Sequence, residues 1–339
     1  MTAIPKSAWA ERRVFVTGAS GIVGSWLVKR LLADGAYVVV LIRDWDPQSE
    51  LVRSGDIAKT SVINGCLEDY ATLERAISQH EIDTVFHLGA QPIVGIALRS
   101  PLPTFESNIR GSYNLLEACR VHRSLVARVV VASSDKAYGE AVTLPYTEDM
   151  PLQGRHPYDV SKSCTDLLAI SYAETYQLPV TVARCGNIFG GGDLNWSRIV
   201  PGTIRSYWHG QSPVIRSNGL FTRDYIYVQD VVSAYLTLAD RSADDDIRGQ
   251  AFNFSPERSY TVLEITKAIQ TLMGCAAIEP TILDQARHEI VDQFLDSTKA
   301  ATVLKWQASH GLESGLTETI RWYREFLAGS PSVLTGAAR

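Results

Sequence analysis

Residues 134–136 read Ser-Asp-Lys, placing a hydroxyl, an acid and an amine in succession after the apolar run ARVVVA. Burying unpaired charge costs free energy, so such a triplet belongs at a strand mouth, where its members meet one another, water or a ligand. A polar turn capping a strand is one account of it, and a proton-transfer site is the other. Further on, PYDVSK sets Tyr158 and Lys162 four residues apart, which an α-helix stacks on one face. An ammonium beside a phenol lowers the phenol's pKa, and the phenolate then takes a hydroxyl proton while hydride leaves the same carbon. The pair is a device for oxidising a carbinol, and Ser134 is placed to hydrogen-bond the same hydroxyl.

Such a device needs a hydride acceptor, and VTGASGIVGSW supplies a place for one. Gly18, Gly21 and Gly24 follow a predicted strand and open a predicted helix, so that backbone N–H groups approach a pyrophosphate at the positive helix end. At the end of the second strand LIRDWD offers Arg43 and then Asp44. Arg43 would pair with the 2′-phosphate of NADP and Asp44 would hold the ribose of NAD, with the reading leaning to NADP.

The elements that must position these groups alternate along the chain. RVFVTG, YVVVLIR, DTVFHLGA, ARVVVASS and LPVTVARCGN are Val-rich runs of the kind buried on both faces of a parallel sheet. Between them lie VGSWLVKRLLADG, EDYATLERAISQH, TFESNIRGSYNLLEACRVH and YDVSKSCTDLLAISYAETY, with apolar residues at helical spacing. This alternation implies an α/β fold, a doubly wound parallel sheet. Past residue 186 the rhythm breaks into GNIFGGGDLNWSR and mixed segments, read as a smaller second lobe in which Trp322 and Phe326 are packing residues. The expected division is a dinucleotide-binding domain over 1–186, also receiving about 224–245, and a substrate lobe over 187–339.

The 339 residues are 45% hydrophobic and 20% charged, enough for a sizeable core. A net charge of −5 offers no field for nucleic acid. The five cysteines are scattered, without a CxxC pair or a metal-like cluster, and read as reduced thiols. No leader-like apolar region opens the chain and no run approaches the ~20 apolar residues that span a bilayer. A cytoplasmic protein is expected, without a membrane partner or a metal.

Taken together, VTGASGIVGSW, HLGAQP, SNIRGSYNLLEAC, SSDKAYGE, PYDVSK, ARCGNIFGGGD and RDYIYVQDV resemble the extended short-chain dehydrogenases/reductases, specifically the NAD(P)-dependent nucleotide-sugar epimerases and dehydratases. The likeness runs from about residue 13 to 328. Within that family HLGAQP and SSDKAYG are most similar to CDP-glucose 4,6-dehydratases, where Asp and Lys follow a serine or threonine. Most other 4,6-dehydratases carry Asp-Glu there, and 4-epimerases generally lack the acid and base. Around RDYIYVQD the chain is closer to other dehydratases and epimerases, which leaves the base and the hexose open.

The resemblance implies a Rossmann-type fold and a homodimer formed through a four-helix contact. It implies a cofactor site of Gly18, Ser20, Gly21, Ile22, Val23, Gly24, Arg43, Asp44, Leu67, Leu88, Ala90, Tyr158 and Lys162. Cys66 stands where many relatives place an aspartate on the adenine, so that contact is either missing or supplied by a neighbour such as the Leu67 backbone, while His87 is a packed strand residue. Gln91, Asn108, Asn187, Arg198, Arg205 and Arg216 would line the nucleotide-diphosphate hexose, and Arg223 would grip its diphosphate. In the implied chemistry Tyr158 takes the C4 hydroxyl proton and Asp135 protonates the departing C6 hydroxyl. Lys136 is the C5 base or sets the protonation of Asp135, and hydride returns to C6. A 4-epimerase, using Ser134 and Tyr158 alone, is the alternative, and a noncatalytic dinucleotide-binding regulator is a third.

Overall fold

A computed structural model describes residues 8–285 and 290–329. The first six strands in chain order are β1 (Arg13–Thr17), β2 (Tyr37–Ile42), β3 (Ser61–Asn64), β4 (Thr84–His87), β5 (Arg128–Ala132) and β6 (Val180–Cys185). There follow β7 (Asn187–Phe189), β8 (Val214–Ile215), β9 (Thr222–Tyr227), β10 (Ala251–Phe254), β11 (Ser259–Thr261), β12 (Thr281–Ile282) and β13 (Asp292–Gln293). Seven of them form one parallel sheet in the order β10-β6-β5-β4-β1-β2-β3, and the expected doubly wound α/β fold is what the chain adopts. Every residue of β4 and β6 is buried, as a strand covered on both faces requires.

The sequence reading held five of these seven strands. β3 escaped it because SVIN is short and only half-buries alternate residues at the sheet edge, and β10 because AFNF follows a long excursion through the second lobe. One face of the sheet is covered by helices Ile22–Ala33 and Val228–Arg241, whose Leu27, Val28, Leu31, Val231, Tyr235 and Leu238 join a single buried cluster. The other is covered by helices Tyr70–Gln79, Gly111–Val121 and Pro157–Tyr176 through residues such as Leu73, Ile77, Leu115 and Ala169. Each large side chain so buried contributes roughly 1.5–3 kcal/mol. Among the described residues no helix is long and apolar enough to cross a membrane.

A smaller sheet, β11-β9-β13 with β7 also on β9, builds the second lobe. Helix Leu312–Gly329 ties it back to the first. The Trp322 indole N–H donates to Glu50 at 2.8 Å, and its ring stacks on Phe326 at 5.0 Å. Where the two sheets meet, Asp224 of β9 is fully buried. It presses on Gly186, at which an added Cβ would stand 2.1 Å from Asp224 Oδ1. Burial, then the neighbouring charge of Asp135, pushes the Asp224 carboxyl up to about 7.

Beneath helix Pro157–Tyr176 lies an ion pair. Arg184 of β6 donates to both carboxylate oxygens of Asp166, at 2.8 and 2.9 Å, with both side chains buried. Its remaining Nη1 donates to the Tyr138 hydroxyl at 2.7 Å, which donates in turn to Asn253 of β10 at 2.7 Å. Arg184→Met, which strands the Asp166 carboxylate, is expected to cost about 3–5 kcal/mol in urea unfolding, with Arg184→Met/Asp166→Leu recovering most of it.

Asp224 gives a pH signature. Its folded pKa of about 7 lies above the ~3.9 of an unfolded aspartate, so its contribution is fully present below about pH 4 and lost as pH rises through 7. Unfolding measured from pH 4 to 8 should show this loss, at most about 4 kcal/mol, and Asp224→Asn should remove it.

Candidate active site

The crevice opens at the carboxyl ends of β1 and β4, the strands between which the order of the sheet reverses. Gly18 leaves β1 with φ +70°, and a Cβ there would fall 2.7 Å from the Gly89 nitrogen beyond β4. Gly24 lets the helix approach the turn, since its Cβ would lie 2.2 Å from the Gly18 carbonyl. Gly21 is the N-cap of helix Ile22–Ala33, with no side-chain cap and no acid in the first turn. The N–H groups of Ile22, Val23 and Gly24 thus form a positive, sterically open helix end suited to a pyrophosphate. Ser20 sits in the turn ahead of it. These residues fit a dinucleotide.

Arg43 and Asp44 follow β2, both largely exposed, and the guanidinium donates to the neighbouring carboxylate at 2.6 Å. The cation behind the lean toward NADP is thereby balanced by its neighbour. The Leu67 carbonyl accepts from the Asn114 amide at 3.1 Å, and the Leu67 side chain lies where a Cβ on Gly89 or Gly111 would stand. Leu88 and Ala90 line the start of the loop after β4. His87 is packed between the Thr17 and Ser112 hydroxyls at 2.9 Å each, and burial, with Lys162 nearby, lowers it to about 3.

Ser134, Asp135 and Lys136 cross from the end of β5 into a 3₁₀ turn, Asp135–Tyr138. The Ser134 hydroxyl donates to Asp135 Oδ1 at 2.8 Å and accepts from the Lys136 N–H at 3.2 Å. It also bonds the Tyr158 side chain. Tyr158 enters in the first turn of helix Pro157–Tyr176, where Pro157 starts the helix at no cost in hydrogen bonds. Burial pushes its phenol up to about 12; Arg198 and the Ser134 bond oppose this and Asp135 adds to it. Lys162, one turn on, is buried and donates to the Ala132 carbonyl. Burial lowers its amine to about 8 against the pull of Asp166. The sequence spacing puts the phenol–amine pair on one face, yet the cation that lowers the phenol is Arg198, from the second lobe.

Asn108 lies in a π-helical turn, Glu106–Arg110, and is buried. Its amide bonds Gln91 through the Gln91 N–H at 2.7 Å and the Gln91 carbonyl at 3.2 Å, and donates to Ser161 at 2.9 Å. The Gln91 side chain folds back onto Ile93. Asn187 opens β7, and its Nδ2 is buried without a hydrogen-bond partner among the described residues. Arg198 caps helix Ile199–Trp208 and pairs with Asp193 at 3.0 Å.

The other arginines are spread. Arg205 is exposed over the Trp196 ring at 4.9 Å, and Arg216 is exposed beside β8. Arg223 spends its guanidinium on the Thr222 and Val291 carbonyls, at 2.7 Å each, and on that of Ile290. Two further residues join the site. Asp224 feels the charge of Asp135, and Gln293 of β13 accepts from the Lys136 amine. Neither carries a sequence signal of its own; Asp224 lies inside RDYIYVQDV and Gln293 in a segment with no motif.

Comparison with known proteins agrees with this architecture. The sequence model of the NAD dependent epimerase/dehydratase family matches residues 14–254. A CDP-glucose 4,6-dehydratase of Salmonella typhimurium is 30% identical, over 98% of this chain and 96% of its own. A UDP-glucose 4-epimerase of Mycolicibacterium smegmatis is also 30% identical, over 92% and 98%. The crystal structure of a UDP-glucose 4-epimerase with UDP-glucose from Thermotoga maritima superposes with a TM-score of 0.84 at 29% identity, over 93% of this chain and 99% of that one. With a glycine-built dinucleotide crevice and these relatives along its length, the chain belongs to the NAD dependent epimerase/dehydratase family.

Proposed function

We propose that the protein is a nucleotide-sugar 4,6-dehydratase, converting a nucleoside-diphosphate hexose to its 4-keto-6-deoxy product with NAD held and regenerated in place. The observation that carries this is the Ser134 hydroxyl, bonded to Tyr158 on one side and to Asp135 on the other. A 4-epimerase has no use for a buried acid beside that serine.

When bound, the nicotinamide would supply the hydride chemistry at C4 and C6 and a positive ring charge that favours the phenolate. The chain does the rest. Tyr158 takes the C4 hydroxyl proton, and the C4 ketone acidifies the C5 hydrogen. Lys136 takes that proton, the C5–H electron pair forms the C5–C6 double bond, and the C6–O bond breaks as Asp135 protonates the leaving oxygen to give water. The C5 proton is finally returned as C6 receives hydride. One turnover leaves Tyr158 a proton richer and Asp135 a proton poorer, and Ser134 is the hydroxyl through which the first can recharge the second. Gly18, Ser20, Gly21, Ile22, Val23, Gly24, Leu67, Leu88 and Ala90 hold the dinucleotide, with Asp44 on its ribose. Asn187 and Arg198 would meet the sugar nucleotide, Asn108 braces the Gln91 loop beside it, and Arg205 and Arg216 would lie toward its outer end.

The second reading, a 4-epimerase, is favoured by the 30% identity to the Mycolicibacterium smegmatis enzyme. Incubation with CDP-, GDP-, UDP- and dTDP-hexoses decides between them by mass. Loss of one water supports dehydration, and a product of unchanged mass refutes it. Tyr158→Phe should lower turnover by about 10²–10⁴-fold with nucleotide binding nearly intact. Asp135→Asn should instead leave C4 oxidation competent, so that reduced cofactor builds up without water loss; unimpaired dehydration by that variant would remove Asp135 from the mechanism.

We also propose that helices Gly111–Val121 and Pro157–Tyr176 pair with a second copy of the chain, since they leave Tyr113, Val121 and Leu167 exposed at 40%, 50% and 56%. Sedimentation of the wild type as a dimer and of Leu167→Asp as a monomer is expected; a monomeric wild type would sink the pairing.

A further inference from the structure

Among the buried polar atoms without a hydrogen-bond partner in the described residues are four on Asp135 and on β7, β9 and β13: Asp135 Oδ2, Asn187 Nδ2, Asp224 Oδ1 and Gln293 Nε2. Asp224 is within electrostatic reach of Asp135 and presses on Gly186, the residue before Asn187. Gln293 is bonded to the Lys136 amine. Two of the four atoms are carboxyl oxygens and two are amide donors. An array of both kinds suits a group that donates and accepts at once, which is the character of an alcohol or of water and not of a phosphate. Left unfilled, each of these atoms destabilises the fold.

The orientation of Gln293 follows from its partner. The Lys136 amine donates an N–H to Gln293 Oε1, which leaves its lone pair for the C5 proton and aims Nε2 away from it. The backbone of Gln293 is fixed with equal firmness. β13 pairs with β9 in the register Asp292↔Thr222 and Gln293↔Arg223. Asp292 accepts from the Thr222 hydroxyl at 2.5 Å, and Arg223 donates to the carbonyls of residues 290 and 291 just ahead. The guanidinium expected at the diphosphate is here the clamp of the strand that delivers Gln293. Gln293 itself has no exposed surface, so an amide there serves the interior of the site.

We propose that Gln293 is a positioning residue of the elimination step: its Oε1 holds the Lys136 amine at C5, and its Nε2 donates to the C6 oxygen as it departs. This rests on the dehydratase reading. Gln293 gives up no proton. The proton on the leaving oxygen comes from Asp135, the C5 proton goes to Lys136, and the amide hydrogen bond strengthens as charge gathers on the oxygen.

The test uses the full chain with its cofactor and the nucleotide hexose that the wild type dehydrates. Gln293→Leu should lower kcat for water loss by about 10- to 100-fold, part of what acid–base catalysis supplies, with KM within about threefold. Reduced cofactor should accumulate on mixing, because C4 oxidation does not need the amide. Gln293→Asn, which keeps both an acceptor and a donor, should recover part of the rate and guards against a merely misfolded leucine variant. Wild-type turnover by Gln293→Leu, a loss of kcat without reduced cofactor, or an asparagine variant as slow as the leucine one would each overturn the inference. A wild type whose product keeps its mass would overturn the dehydratase reading and this inference together, whereas a dehydrating wild type with an unaffected Gln293→Leu overturns this inference alone.

Discussion

The bidentate pair of Arg184 and Asp166 is the interaction on which the site depends. It joins β6 to the helix that carries Tyr158 and Lys162, and through Tyr138 it also reaches the turn that carries Asp135 and Lys136. A planar guanidinium with fixed donor directions can set the distance and angle between two elements in a way that apolar packing cannot. Buried charge of this kind is weak as a source of stability, and its value here is geometric. The same carboxylate of Asp166 supports the charge of Lys162, so one ion pair fixes both the place and the electrostatic setting of the amine beneath the phenol.

Above that pair the site is a contest between burial and charge. Burial drives Tyr158, Asp159 and Asp224 toward their neutral forms, and a few cations and hydrogen bonds oppose it. Arg198 acts on Tyr158 and Lys136 on Asp159. Groups balanced in this way respond strongly to one added charge, because the interior screens it poorly. A positively charged ring laid against the phenol would therefore change its protonation more than the same ring would in water. Ligand binding and acid–base competence are then coupled through electrostatics, with no movement of the backbone required.

How much of this was readable from the chain follows from the distance over which each signal acts. Gly18, Gly21 and Gly24 do their work within one strand-turn-helix, and Tyr158 and Lys162 within one helical turn, so local spacing reveals them. The alternation of Val-rich strands and amphipathic helices gave the sheet for the same reason. What it could not reveal depends on contacts between residues far apart in sequence. Arg184 finds Asp166 eighteen positions back, Gln293 meets Lys136 across 157 positions, and Arg198 reaches Tyr158 from the other lobe. Arg223 shows the limit of motif reading from the opposite side, since its place in RDYIYVQDV was plain while the carbonyls that occupy its guanidinium were not.

The insertion of β10 has a bearing on how the polypeptide can be divided. This strand adds to the open edge of β6 only after the chain has left the large sheet, built β7 to β9 and come back. A fragment ending after β6 would present the row of N–H and C=O groups of β6 to solvent, a template on which another molecule can zip. Nascent chains emerging from a ribosome face the same hazard until the returning segment is made, and the hydrophobic side chains of Phe252 and Phe254 then seal the flank.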